Sequence, residues 1–325
     1  MKILNFILLF LIYSCTVGGQ EITLEGKIAI EDSNGKNGTV YIPTARSEFA
    51  LRYDKEVHFS GLHWANTTDS FVGIEYFSNK IGRIIRGNVV RLDLKGNIID
   101  TVYKSREGEL TGNAYLSEND NKLLFTLKTD GKDEGVWKQF NRPVSIVIVD
   151  PKSKTIIKKI DDVGLSSTVD INESPWLNNE VQFIYDIASG RRVIVKGENE
   201  AKSNEKDAGV YIYDLKTDRH SLLVKSGHYG IASPADDRIA YIKENKIWIY
   251  DLKSRREKVL YVPNAREEIN HIHWAPGGEY IYLTYIKQYD FGFFSSDAKF
   301  LRIDNGSQVA FQRIDRMFNN YTWKR

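Results

Sequence analysis

Apolar residues along this chain fall into short runs of about five to eight positions, separated by clusters of Gly, Asn, Asp and Lys. Beyond the first twenty residues there is almost no helical periodicity; the alternation is that of strands and hairpins. One unit recurs: VVRLDLKGNIID, SIVIVDPKSKTII, VYIYDLKTDRHSLL, IWIYDLKSRREKVL and FLRIDNGSQVAF. Each is a strand, an Asp, a short polar turn and a second strand. The acids are Asp93, Asp150, Asp214, Asp251 and Asp304. An Asp there accepts hydrogen bonds from turn amides, which suits a tight hairpin. These five acids are therefore read as turn formers and not as a catalytic set.

A second hairpin precedes each of the first: GLHWANTTDSFVGIEY, NAYLSENDNKLLFTL, ESPWLNNEVQFIY, YGIASPADDRIAYI and HIHWAPGGEYIYL. Two hairpins per repeat predict a four-stranded antiparallel blade. Five complete blades are expected from about Gly61 to Ile314. The N-terminal GKIAIEDSNGKNGTVYIPTARSEFALRY supplies three more strands, and MFNNYTWKR a further first strand. Joining them predicts an all-β, six-bladed propeller closed by pairing the C-terminal strand with the N-terminal strands. Closure of this kind removes open sheet edges.

WAPGGEYIYL, with ASPADDRIAYI, resembles the W-S-P-D-G-K-x-I-A-F repeat of TolB-type propellers. Gly277 stands where that pattern has Asp, and HWANTTDS and PWLNNE lack its S-P-D-G core. The resemblance spans residues 22 to 325 and implies the fold. The family holds protein-binding modules, peptidase-associated domains and carbohydrate-cleaving relatives, so fold alone selects no function.

The composition is that of a globular protein, 42% hydrophobic and 27% charged. With 45 basic and 43 acidic residues, no basic excess points to nucleic acid. The start, MKILNFILLFLIYSC, has one Lys and then an apolar run from Ile3 to Tyr13, short for a membrane span. It is read as a secretory signal over residues 1–20, followed by a single propeller domain over 21–325. Cys15 is the only cysteine. Two readings of it stay open: removal by ordinary cleavage after TVGG, or lipidation, since IYSC resembles a relaxed lipobox with Tyr13 departing from the usual small residue. Lipidation at Cys15 is the expectation taken forward, and it makes the lipid anchor the only membrane contact. Sequons at Asn37, Asn66, Asn172, Asn305 and Asn320 carry no inference in so Asn-rich a chain.

The connections between second and third strands are long in four blades: FSNKIGRIIRGN, KTDGKDEGVWKQFNRP, DIASGRRVIVKGENEAKSNEKDAG and IKQYDFGFFSSDAK. They lie on the face where first strands begin, which predicts a binding rim. Their aromatic and Arg residues are typical anchors, although such aromatics also pack loops onto their own blade. Small polar residues recur four positions before the first-strand Trp, as Asn172, Asn270, Asn319 and Ser60. Arg86, Trp137, Arg142, Asn270, His271 and Phe291 are the expected ligand contacts.

His271 and His273 alternate on one first strand and so face the same side. His63 repeats the position of His273, before Trp64. Some propeller lyases resembling this family hold a metal in a histidine cluster near the channel. Here one H-x-H stands without a recognisable third ligand, so neither metal nor cofactor is expected. G-x-S-x-G, H-E-x-x-H and phosphate-loop motifs are absent from the sequence.

Two functions follow. The first is an exported binding propeller, its ligand an envelope protein or an anionic glycan, its location periplasmic or on the outer membrane. The second is a lyase of uronate-containing polysaccharide, with His271, His273 and Tyr229 as candidate bases and Arg86 and Arg142 neutralising the carboxylate.

Overall fold

The computed structural model describes residues 27–31, 37–42, 47–52, 58–78, 84–129, 143–165, 169–172, 175–177, 180–188, 208–275, 277–289, 294–309 and 321–324. Every strand pairing among them is antiparallel. One sheet holds β1 (Lys27–Glu31), β2 (Asn37–Ile42) and β3 (Ser47–Arg52). The next holds β4 (His58–Trp64), β5 (Phe71–Ser78), β6 (Ile84–Leu92) and β7 (Ile98–Tyr103). Then come β8 (Glu109–Leu116), β9 (Leu123–Thr129), β10 (Pro143–Val149) and β11 (Ile156–Leu165). They are followed by β12 (Val169–Asp170), β13 (Gln182–Ile187), β14 (Gly209–Asp214) and β15 (Arg219–Lys225). Another sheet holds β16 (His228–Ala232), β17 (Arg238–Lys243), β18 (Lys246–Asp251) and β19 (Arg256–Tyr261). The chain continues with β20 (Glu267–Trp274), β21 (Tyr280–Gln288), β22 (Phe294–Arg302) and β23 (Gln308–Val309). Finally β24 (Tyr321–Lys324) pairs with β1, Ile28 opposite Trp323.

First strands of successive sheets lie against one another: β24 with β4, β4 with β8, β16 with β20. Sheets therefore stack face to face, and the core lies between them in layers. One layer joins Tyr115, Leu124 and Ile146 to Trp176, Phe183 and Tyr185; another joins Ile231, Ala240 and Ile249 to Trp274, Ile281 and Leu283. A middle strand is thus covered on both faces, which explains why residues 183–187 of β13 are all buried. The fourth strands β15 and β19 are polar and exposed over most of their length.

Indole groups tie the stack together. Trp176 Nε1 donates to the Tyr115 carbonyl at 3.2 Å, and Trp274 Nε1 donates to the Ile231 carbonyl at 3.1 Å, each reaching the preceding sheet. Both rings are buried.

The turn acids behave as expected at four positions. The carboxylates of Asp93, Asp150, Asp214 and Asp251 accept from amides two to four residues ahead. Asp304 is a correction. It pairs instead with Arg302, and Asn305 Oδ1 accepts the Ser307 amide, with Gly306 at φ +70° closing the turn. The Asn side chain one residue later does the work that Asp does elsewhere.

Two of the four connections expected to be long are corrected too. Phe77 pairs with Arg86 and Ser78 with Ile84 across β5 and β6; Lys287 pairs with Ser295 and Gln288 with Phe294 across β21 and β22. Seven of the twelve residues of FSNKIGRIIRGN and nine of the fourteen of IKQYDFGFFSSDAK are strand, so these hairpins continue as ladders.

Replacing Trp274 by Ala removes a buried ring and leaves the Ile231 carbonyl without its donor. A loss of ~3–5 kcal/mol of stability is expected in denaturant unfolding. Trp274→Phe should lie between the variant and the parent, and equal stability of all three would show that the indole does not join the sheets.

Candidate functional site

In each sheet the start of the first strand lies beside the end of the second, because the two run antiparallel. That end gathers an unusual set of polar groups: Lys128 at the end of β9, Asp170 on β12, Asp186 on β13, His228 and Tyr229 on β16, and Asn270 and His271 on β20. They belong to four successive sheets and are linked through Lys128 with Asp170, Asp170 with Asp186, and Tyr229 with His271.

Asp186 lies deepest. It sits between Tyr185 and Ile187 in a strand whose other residues are Gln182, Phe183 and Ile184, and only 4% of its surface is exposed. Asn172 Nδ2 donates to its Oδ2 at 2.7 Å, and the Gly230 amide donates to the carboxylate at 3.1 Å. The Tyr229 amide also donates to it. Burial pushes its carboxyl up to about 7; these three donors oppose the rise, and Asp170, opposite it in the ladder, adds to it.

Lys128 and Asp170 attract each other, yet both move towards their neutral forms, because crowding by protein outweighs the attraction. His228 is lowered by the same crowding. Asp170 and His228 reach solvent.

The candidate bases are brought together. The Tyr229 ring meets the His271 ring edge-on, with centroids 4.9 Å apart, and His271 stacks 6.4 Å from His273. His271 and His273 do face one side, as their alternation requires. His273 is buried beside Tyr282, however, whereas Tyr229 and His271 are only half-buried. Asn270 adjoins His271 as an extra residue in β20, between the Ile269 and His271 pairings. Arg86 stands on a different sheet, its guanidinium 4.0 Å above the Phe77 ring in the β5–β6 ladder. Trp137, Arg142, Phe291 and Cys15 lie outside the described residues.

The set around His271 does not fit a metal. Two imidazoles are joined by a phenol, and among the described residues no group of three or more His, Cys, Asp and Glu is placed to hold an ion. What it offers at the surface is imidazole and phenol, with the Asp186 carboxyl buried behind them against the Tyr229 and Gly230 amides. Sequence reasoning found Asn172, Tyr229, Asn270 and both histidines, and missed Asp186, Asp170, Lys128 and His228. An acid inside the apolar run QFIYDI was the available signal.

No family model matches the chain, and no curated protein matches it. Solved structures match it by fold. TolB from Acinetobacter baumannii aligns at TM-score 0.63 and 14% identity, over 94% of this chain and 68% of that one. An oligogalacturonate lyase in complex with manganese aligns at TM-score 0.57 and 13% identity, over 87% of this chain and 73% of that one. A second oligogalacturonate lyase, from Vibrio parahaemolyticus, aligns at TM-score 0.57 and 11% identity, over 87% and 78% of the two chains. The fold is that of a TolB-like β-propeller.

Asp186 makes a prediction about pH. Its folded pKa lies above the unfolded value, so the folded state keeps a proton that the unfolded chain releases. Stability should fall as pH rises from about 4 to about 7 and level off above. Asp186→Asn should flatten that slope in thermal melts; parallel slopes for variant and parent would show that Asp186 titrates like an ordinary carboxylate.

Proposed function

We propose that this chain is an exported, lipid-anchored binding propeller whose ligand, an envelope protein or an anionic glycan, sits over the face where first strands begin. The observation that carries the reading is the succession of polar groups, Lys128, Asp170, His228, Asn270 and His271, at that end of four consecutive sheets. The longer second-to-third connections, after Thr129 and after Ile187, leave from the same end. Arg86, Trp137, Arg142, Asn270, His271 and Phe291 are the proposed contacts.

The ring is six blades, closed where β24 joins β1. Supporting this are four-stranded sheets of consecutive strands and the order β24-β1-β2-β3 in the remaining sheet. Truncation after Asp315 should then cause aggregation or a large drop in melting temperature; a truncated protein that melts like the full chain would refute closure.

A glycan array and a pull-down from envelope extract identify the ligand. Trp137→Ala and Arg142→Ala should then each weaken binding roughly thirtyfold, as loss of an anchor commonly does. Lys216→Ala, in the Asp214 turn at the opposite end, should not. Equal losses would place the ligand elsewhere. Cys15→Ser should move the protein from the membrane fraction to the soluble exported fraction, and a native N-terminus beyond Cys15 would rule out the anchor.

A second reading is a uronate-polysaccharide lyase. The fold shared with two oligogalacturonate lyases and the contact of Tyr229 with His271 favour it. Turnover of oligogalacturonate to an unsaturated product, lost in His271→Ala with the fold intact, would establish it. Binding without turnover leaves the binding propeller.

A further inference from the structure

Tyr229 has φ +55°. This left-handed conformation is common for Gly and strained for a bulky residue. It falls in a bulge: His228 pairs with Ile242 and Ile231 with Ala240, so Tyr229 and Gly230 together stand opposite Tyr241. The corresponding shifts in β4 and β8 fall at Gly61–Leu62 and Gly112–Asn113, where a glycine is the first of the two. Gly112 keeps an ordinary φ, whereas in β16 the aromatic residue itself adopts the left-handed conformation that favours glycine.

The second bulge residue has no room for a side chain. A Cβ on Gly230 would come 2.6 Å from Val210 Cγ1 and 3.1 Å from Asp186 Oδ1. That closeness lets Asp186, on the preceding sheet, receive both bulge amides. Asn172 fixes the carboxylate at 2.7 Å and reaches the Gly230 carbonyl at 3.4 Å. On the other side of the bulge, the Tyr229 ring meets His271 of the following sheet. Three sheets thus meet in one strained residue.

We infer that Asp186 is a positioning residue: with Asn172 it clamps the Tyr229–Gly230 bulge in its left-handed form and so presents the Tyr229 ring, beside His271, to a sugar unit of the ligand. This rests on the glycan branch of the proposed function. An aromatic ring flanked by the imidazoles of His271 and His228 matches a pyranose, whose C–H face stacks and whose hydroxyls take hydrogen bonds. Asp186 itself is too buried to touch the ligand. Strain held by surrounding structure at such a place is what pre-organisation requires.

The clamp is tested without a ligand. Tyr229→Gly should melt above Tyr229→Ala, the reverse of the usual order within strands. In an Asp186→Asn or Asn172→Ala background the difference should shrink, because the bulge is no longer held. A Gly variant that melts at or below the Ala variant overturns the clamp, as does a difference unchanged by loss of Asp186 and Asn172.

The presentation is tested by calorimetry with oligogalacturonate. Asp186→Asn and Tyr229→Gly should each weaken binding roughly tenfold or more, and the double variant should lose no more than Tyr229→Gly alone. Losses that add would show that Asp186 acts by another route and overturn the positioning role. A parent protein that does not bind oligogalacturonate refutes presentation to that glycan, while the melting comparison still decides the clamp.

Discussion

Stacking of sheets face to face is the constraint on which the rest depends. A sheet covered on both sides has no solvated face for its middle strands, so every residue there must pack and every polar group must find a partner in a neighbour. The indole of Trp274 meets both demands, filling the space between β20 and β16 while its N–H satisfies a carbonyl of β16. Trp176 repeats the arrangement between β12–β15 and β8–β11. Shorter polar bridges also join neighbouring sheets. Thr111 Oγ1 donates to the Gly87 carbonyl, and Asn245 accepts from the Ile269 amide while donating to the Glu267 carbonyl.

The same constraint makes the Asp186 cluster unusual. At the corresponding position of the second strand, neighbouring sheets carry Thr126, Ile242 and Thr284. A carboxylate there is buried between sheets and is tolerated because three donors converge on it and because it holds its proton to near neutral pH. The stack gives no general reason for an acid at this point. Its partners, a bulged aromatic and an Asn that also touches that bulge, tie the acid to the polar end of β16.

Much of this was legible in the sequence. Paired hairpins were marked by Asp turns and by Trp four residues after a small polar residue, and these local signals became the sheets from β4 to β23. Hairpin height was not legible. Gly, Asn and Lys in SNKIGR imitate a loop, while the β-branched Ile84 pairs with Ser78 in the ladder. Alternation put His271 and His273 on one side, yet it could not tell which would be buried, since that depends on Tyr229 and Tyr282. Asp186 and the φ of Tyr229 were hidden for a stronger reason. Their environment is made by three sheets, and no window of sequence contains it.

The layered core also bears on how the chain reaches this state. From β4 to β23, each sheet is woven from strands that follow one another in sequence, so its pairings close only short stretches of chain. All-β proteins usually fold slowly because their partners are distant; here nearly all partners are close. The exception is β24 with β1, which sets Ile28 against Trp323 across almost the whole chain. Closing so long a loop costs only slightly more entropy than closing one half as long. It must nevertheless wait for residues near 320 to be synthesised. Until then the edge of β1 is an unpaired template, and a nascent chain of this protein is most exposed to misassembly there.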